Sequence, residues 1–337
     1  MVVAGALRSS MGLMAIVLAA VAAAGQGQGQ GQAQEPVPVP VPTNARKPAD
    51  DAEMRYWLEN MVIDHGYSID EVCTATGMGT EEVATALKNF GIGDSDDRVA
   101  DPIKPADSLR MLPYPGGRHP RVGFLEGAIA PQRETKVSVF TPWDPKSYAV
   151  LDLPEAIWSN LGLTYLAHTH IPTIWDEKKE TLEALEWERR DDGSLFSERT
   201  LPNGIVFGTH VVAKADHIEM KMWLKNGTDA ELTDLRVQNC VMLKAVDGFA
   251  DQTNDNKLLR QPFVAARNAA GDRWMITAWD PCHRAWANPP VPCLHSDPKF
   301  PDCPPGETRT LHGWFSFYQG TDIDAELGRI EKIWANQ

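Results

Sequence analysis

The sequence lacks any excess of positive charge. Its 46 acidic residues outnumber the 32 Lys and Arg, giving a formal net charge of −14, and the acids are spread along the chain rather than gathered in a tail. Phosphate binding needs a basic surface, so the composition argues against a nucleic-acid partner. Cys-x-x-Cys spacing is also missing among the five cysteines, and with it the commonest half of a zinc knot. Beyond residue 24 no apolar run approaches the roughly 20 residues that a membrane-spanning helix needs. Any membrane contact must therefore come through an uncleaved N-terminus.

What is present begins with an ordered N-terminus. Arg8 precedes an apolar run from Met11 to Ala24 that closes in three alanines, the charged, apolar, small-residue order of a secretory signal peptide. A retained anchor is the alternative. We read residues 1–24 as a signal, which places the protein outside the cytoplasm, secreted or periplasmic. Residues 25–48 carry GQGQGQGQAQEPVPVPVP, a flexible Gly/Gln tract and then an extended Pro-Val repeat, which together make a tether. In an exported protein five cysteines point to disulfides, and the odd number leaves one over.

Residues 49–92 carry a helical period. Met54, Trp57, Leu58, Met61 and Val62 recur at 3–4 spacing and predict one apolar stripe. Ser68 and Glu71 fit a capping box, with Ile69, Val72 and Cys73 inward. After ATGMG, Thr80 is the expected cap of a further helix with Val83, Leu87 and Phe90 on its buried side. Two short helices about a Gly-bearing turn resemble a helix-turn-helix. Its second helix carries two Glu and one Lys, so the expected role is packing or docking a protein partner, not reading DNA. Residues 93–120, with five prolines and no period, read as a linker.

From residue 121 the period becomes two. Asp192-Gly193, Asn203-Gly204 and Asn226-Gly227 separate alternating stretches, and such pairs supply the positive φ of hairpin turns. In HIEMKMWLK, Ile218, Met220, Met222 and Leu224 share one face; His217, Glu219, Lys221 and Trp223 share the other. A further turn is expected near Gly271. About ten strands imply a mainly β domain over 121–337, an antiparallel β-sandwich. A final helix capped by Thr321 should lay Ile323, Leu327, Ile330 and Trp334 on the sheet.

Candidate chemistry falls in two places. LGLTYLAHTH sets His168 and His170 on one side of a strand. His-x-His can deliver two nitrogens to a divalent transition metal or take part in proton transfer; it can equally be polar surface. Trp175 and Asp176 follow closely, Trp175 as a substrate-binding candidate and Asp176 as the catalytic acid expected to act with the two imidazoles, joined by His283 or His295. The second place is residues 280–306, Pro-rich and aperiodic, which reads as a long loop with His283, Arg284, Trp286, His295 and Asp297 as pocket-lining candidates beside Trp279. Its Cys282, Cys293 and Cys303, with Cys240, can form disulfides; the rival reading is a zinc knot drawn from Cys282, His283, Cys293, His295 and Cys303. Trp faces beside Asp, Arg and His suit sugars, while a Trp-rich core explains the same residues without a ligand.

The stretches RYWLENM, GYSIDEVCTATGMGTEEVATALKNF and LPYPGGRHPRVGFLEGAIAPQRETKVSVF resemble an exported family of planctomycete-type bacteria that carries no known mechanism. The run HIEMKMWLKNGTDAELTDLRVQNCVML is similar to the supersandwich of galactose mutarotase-like proteins. That resemblance implies sugar chemistry by His with Glu or Asp, with His168 or His170 in the His role and no Glu matched by motif. The expectation is an exported protein that binds or processes a glycan on a β-sandwich. The alternative is a non-catalytic envelope or scaffold protein that engages a partner through its helical module.

Overall fold

The computed structural model describes residues 45–93, 108–116, 134–167 and 171–334. The signal-like segment, most of the tether, much of the linker, and His168 and His170 lie outside these residues. Along the chain come α1 (Asp51–Leu58), which runs on as a π-helical turn (Glu59–Asp64), α2 (Ile69–Thr76) and α3 (Thr80–Phe90). Then follow β1 (Met111–Pro113), β2 (Lys136–Phe140), β3 (Tyr148–Ser159), β4 (Gly162–Leu166) and α4 (Ile174–Lys178). The central strands are β5 (Glu188–Arg189), β6 (Leu195–Thr200), β7 (Val206–Ala213), β8 (His217–Lys225), β9 (Val237–Met242) and β10 (Lys257–Arg260). Last are β11 (Phe263–Arg267), β12 (Arg273–Asp280), β13 (Cys282–Trp286), β14 (Cys293–Pro298), β15 (Thr308–Gln319) and α5 (Ile323–Trp334).

The strands form two antiparallel sheets. The first has the order β1-β2-β3-β9-β14-β13 with β4 also on β3; the second has the order β10-β11-β12-β15-β8-β7-β6-β5. Alternation along each strand decides what it faces. On β3, Ala149, Leu151 and Leu153 enter the core between the sheets, while Tyr148 and Val150 point outward into a second cluster. On β8, Ile218, Met220, Met222 and Leu224 face the core as the pattern predicted. The chain is therefore mainly β, a sandwich with a C-terminal helix.

Both sheets carry helices on part of their outer faces. Trp57, Leu58, Met61, Val72 and Val83 share the second cluster with Phe140, Tyr148, Val150 and Met242 of the first sheet. At this contact the buried His65 bonds Asn60 O at 2.8 Å and Ser138 Oγ at 2.7 Å. Leu327 and Ile330 of α5 lie on Phe263, Ala265, Trp274, Ile276, Ala278 and Trp314 of the second sheet, with Ile323 and Trp334 at the margin.

Several expectations need correction. The box of Ser68 with Glu71 is present, but Gly79 rather than Thr80 is the cap residue of α3. Ile69 is exposed, since the first residue of α2 stands clear of the stripe. Asp322, not Thr321, caps α5, its Oδ1 accepting from Ala325 N at 3.0 Å. Met111–Pro113, placed in the linker, is a strand of the first sheet. The hairpins at Asp192-Gly193, Asn203-Gly204 and Gly271 form, each Gly at positive φ. Asn226-Gly227 does not close one: β8 belongs to the second sheet and β9 to the first. The buried Asn226 amide instead donates to Ala230 O at 2.8 Å and Cys303 O at 2.7 Å, holding the crossing between sheets.

Candidate functional site

On the second sheet, the outer face left beside α5 presents an unbroken polar and aromatic row. The register sets Asp280 of β12 opposite His312 of β15, His312 opposite Lys221 of β8, Lys221 opposite His210 of β7, and His210 opposite Phe196 of β6. Strands are about 4.8 Å apart, so this row is about 19 Å long. Asp280, His312 and Lys221 are exposed; His210 and Phe196 are half-buried.

Beside the row, Trp223 lies flat on the sheet. It does so because the residue opposite it is Gly208: a Cβ there would stand 2.2 Å from Trp223 Cζ2 and 2.5 Å from Ser197 O. The indole N–H donates to Glu198 Oε2 at 2.9 Å, and its ring stacks near Phe196 with centroids 5.3 Å apart and planes 28° apart. The Arg190 guanidinium covers Phe196 at 4.0 Å. Indole over glycine is a packing device in its own right. Here it also sets the indole beside Glu198 and Phe196, next to the Lys221 and His210 of the row.

His210 Nε2 is buried and has no hydrogen-bond partner. Burial first, and then the charge of Arg190, holds its imidazole below the usual pKa. A depressed histidine pKa means that the unfolded chain takes up the proton more readily than the folded one. Stability is then full above about pH 6.5, the unfolded value, and falls as pH drops below it. Urea midpoints between pH 7.5 and 5 should show this slope in the parent and a shallower one in His210→Gln; equal slopes would refute it.

The second constellation lies on the outer face of the first sheet. The expected Pro-rich loop is a hairpin of β13 and β14, in which Cys293, His295 and Asp297 alternate along one face of β14. Cys293 pairs with Met242 and Leu294 with Val241, a register that continues to set His295 opposite Cys240. Ligand atoms of Cys240, Cys293 and His295 all lie within 4.8 Å of one another. Cys293 Sγ is 3.3 Å from His295 Nε2. Asp297 stands 3.6 Å from His295 Nδ1 and accepts from Trp286 Nε1 at 2.5 Å and Asn239 N at 3.2 Å. Trp286 stacks on the imidazole at 4.1 Å, and the Arg284 guanidinium lies 4.1 Å over the indole. The Cys240 thiol, then the imidazole, pulls Cys293 down to about 5. Burial opposes charge on His295, but Asp297 and the Cys293 sulfur outweigh it and raise the imidazole to about 10.

Other candidates have structural employment. Trp175 is buried and donates from Nε1 to Thr164 O at 2.8 Å, so it cannot stack on a ligand. Asp176 completes the capping box of α4, accepting from the cap residue Thr173 at N (2.6 Å) and Oγ1 (2.8 Å). Trp279 is buried against Gly313 in the core. His283 and Arg284 are exposed on β13. All five cysteines are free thiols, so the expected disulfides are not formed. Cys240 and Cys293 are diagonal neighbours in the ladder, about 7–8 Å apart at Cα, beyond the usual disulfide range. Nor do Cys282 and Cys303 join the cluster: Cys282 accepts from Ser296 Oγ at 3.5 Å, and Cys303 donates to Glu307 O at 3.2 Å.

No family model matches the chain, and no curated protein matches it. Solved structures with partial likeness include a candidate kojibiose phosphorylase from the human microbiome, 6% identical with TM-score 0.28, covering 42% of this chain and 20% of that one. The chain thus spans about a fifth of that protein's length. The Slr1438 protein of Synechocystis sp. PCC 6803 is 10% identical with TM-score 0.32, covering 63% of this chain and 91% of its own. A mutant of the heparan sulfate lyase HepC from Pedobacter heparinus is 9% identical with TM-score 0.31, covering 55% and 35%. Likeness this distant carries no activity across.

Proposed function

We propose that this protein is exported and binds glycan chains on the outer face of its second sheet, with Trp223 as the stacking platform. The observation that carries the reading is the flat indole over Gly208 beside a five-strand row of Asp280, His312, Lys221, His210 and Phe196. A sugar ring has an apolar face and a polar rim. The indole meets the face, while carboxylate, ammonium and imidazole groups meet hydroxyls that neither donors nor acceptors alone would satisfy. Export rests on the signal-like order of the first 24 residues.

The reading is favoured over a scaffold role for the helical module because the stripe of that module is spent on the first sheet, with Trp57, Leu58, Met61 and Val83 all buried there. To test it, the purified chain is screened against soluble neutral and anionic polysaccharides, and the best is titrated calorimetrically. Covering roughly 80 Å² of indole contributes about 2 kcal/mol, so Trp223→Ala should weaken binding about thirtyfold with an unchanged far-ultraviolet spectrum. Binding that survives the substitution, or no binding to any polymer of the panel, rejects the platform.

A further inference from the structure

We propose that Cys240, Cys293 and His295 form a transition-metal site on the outer face of the first sheet, filled by Zn²⁺ and completed by a fourth, non-protein ligand. The site is separate from the glycan platform, which lies on the other sheet.

Geometry comes first. A tetrahedral ion bound at 2.0–2.3 Å holds its ligands roughly 3.6 Å apart. Cys293 Sγ and His295 Nε2 already stand 3.3 Å apart, and all three donors fall within 4.8 Å. Closing the set therefore asks for side-chain shifts of about 1 Å or less, with no movement of the strands. The strands also fix the set: Cys293 and His295 are two apart on β14, and Cys240 faces them from its neighbour β9.

The surroundings of the imidazole point the same way. With Nε2 toward the sulfurs, Nδ1 faces the Asp297 carboxylate at 3.6 Å, yet this fully buried nitrogen has no hydrogen bond within range. Asp297 is itself fixed by Trp286 Nε1 and Asn239 N. A carboxylate held behind the distal nitrogen is the usual way a metal-binding histidine is oriented and made more basic. Asp297 is then a positioning residue.

Other uses of the cluster fit less well. As a nucleophile Cys293 is out of reach, being 2% exposed with His295 at 3%. As a disulfide, Cys240 and Cys293 are misplaced by their diagonal register. Two sulfurs and one imidazole are a soft-to-borderline donor set suited to Zn²⁺, and tetrahedral coordination leaves a fourth position for a small non-protein ligand.

The test is a Co²⁺ titration of the full chain after chelation, followed by a Zn²⁺ competition. About one equivalent of Co²⁺ should raise a sulfur-to-cobalt charge-transfer band that Zn²⁺ abolishes. Cys293→Ser and Cys240→Ser should lose the band, and Asp297→Asn should weaken binding roughly 10–100-fold. The double variant His168→Ala/His170→Ala and the variant Trp223→Ala should both keep it. A parent protein that gives no sulfur-based band overturns the proposal without recourse to any variant. So does a band that persists in Cys240→Ser, or a Cys240–Cys293 disulfide in the purified chain under thiol alkylation.

Discussion

Glu134→Ala should be among the most destabilising single changes in this protein, costing about 3–5 kcal/mol. Glu134 lies inside the sandwich, where both its oxygens accept from Arg199 Nη2 of β6, at 2.8 and 2.7 Å. Tyr165 O–H donates to it at 2.6 Å and Leu185 N at 2.9 Å. The carboxylate thus links the two sheets through groups that have little access to water, the Arg199 side chain being 7% exposed. Burial, reinforced by the Glu134 charge, drives the Tyr165 phenol well above its usual pKa, so it remains a donor. Removing the carboxylate strands a guanidinium, and that penalty exceeds what the pair itself contributes. Urea unfolding should show a much lower midpoint, partly restored in the double variant Glu134→Ala/Arg199→Met. A loss below about 1 kcal/mol would mean that water reaches the pair.

Trp279→Ala is expected to cost about 3–5 kcal/mol as well, from lost transfer energy and the cavity left behind. Its ring is 1% exposed and lies over Gly313 of β15, where a Cβ would be 2.7 Å from Cε2. The contrast with Trp223→Ala is diagnostic. Trp279→Ala should lower the urea midpoint yet leave the glycan affinity of the folded fraction unchanged, while Trp223→Ala should do the reverse. If Trp279→Ala weakened binding under fully native conditions, the division between core and platform tryptophans would be wrong.

These two tryptophans show how far the sequence could be read. Alternation along HIEMKMWLK set Trp223 on the polar face with Lys221, but nothing local tells that either indole covers a glycine. Gly208 and Gly313 make the difference, and each lies across a ladder from its indole. Hairpins announced by Asp192-Gly193 and Asn203-Gly204 were legible because turn chemistry is local. Asn226-Gly227 carries the same chemistry but says nothing of which sheet receives the next strand. The β13–β14 hairpin was masked by prolines, although Cys293, His295 and Asp297 at every second place were the visible sign of one strand face. Cys240 was joined to Cys293 only as a disulfide candidate; its place beside His295 follows from the register of β9 with β14, across 53 positions of sequence. The row from Asp280 to Phe196 is in the same position: its members come from five strands, in an order that the chain does not follow.

That row has a handedness. Neighbouring strands in a sheet are rotated by about 20–25° relative to one another, always in the same sense. Over the four steps from β12 to β6 the outward normal therefore turns by roughly 80–100° about the line that joins the five side chains. A polymer lying along that line must screw about its own axis by close to a right angle to keep a face toward each residue. A stiff two-fold ribbon locked in a crystalline sheet cannot do so, whereas a free chain with soft glycosidic torsions can. The twist of the sheet thus acts as a filter for ligand form as well as ligand chemistry. Soluble chains should deplete the protein from solution-phase competition while the same polymer in crystalline form leaves it in the supernatant; retention on the crystalline form would show that the contact is confined to Trp223 and its nearest neighbours.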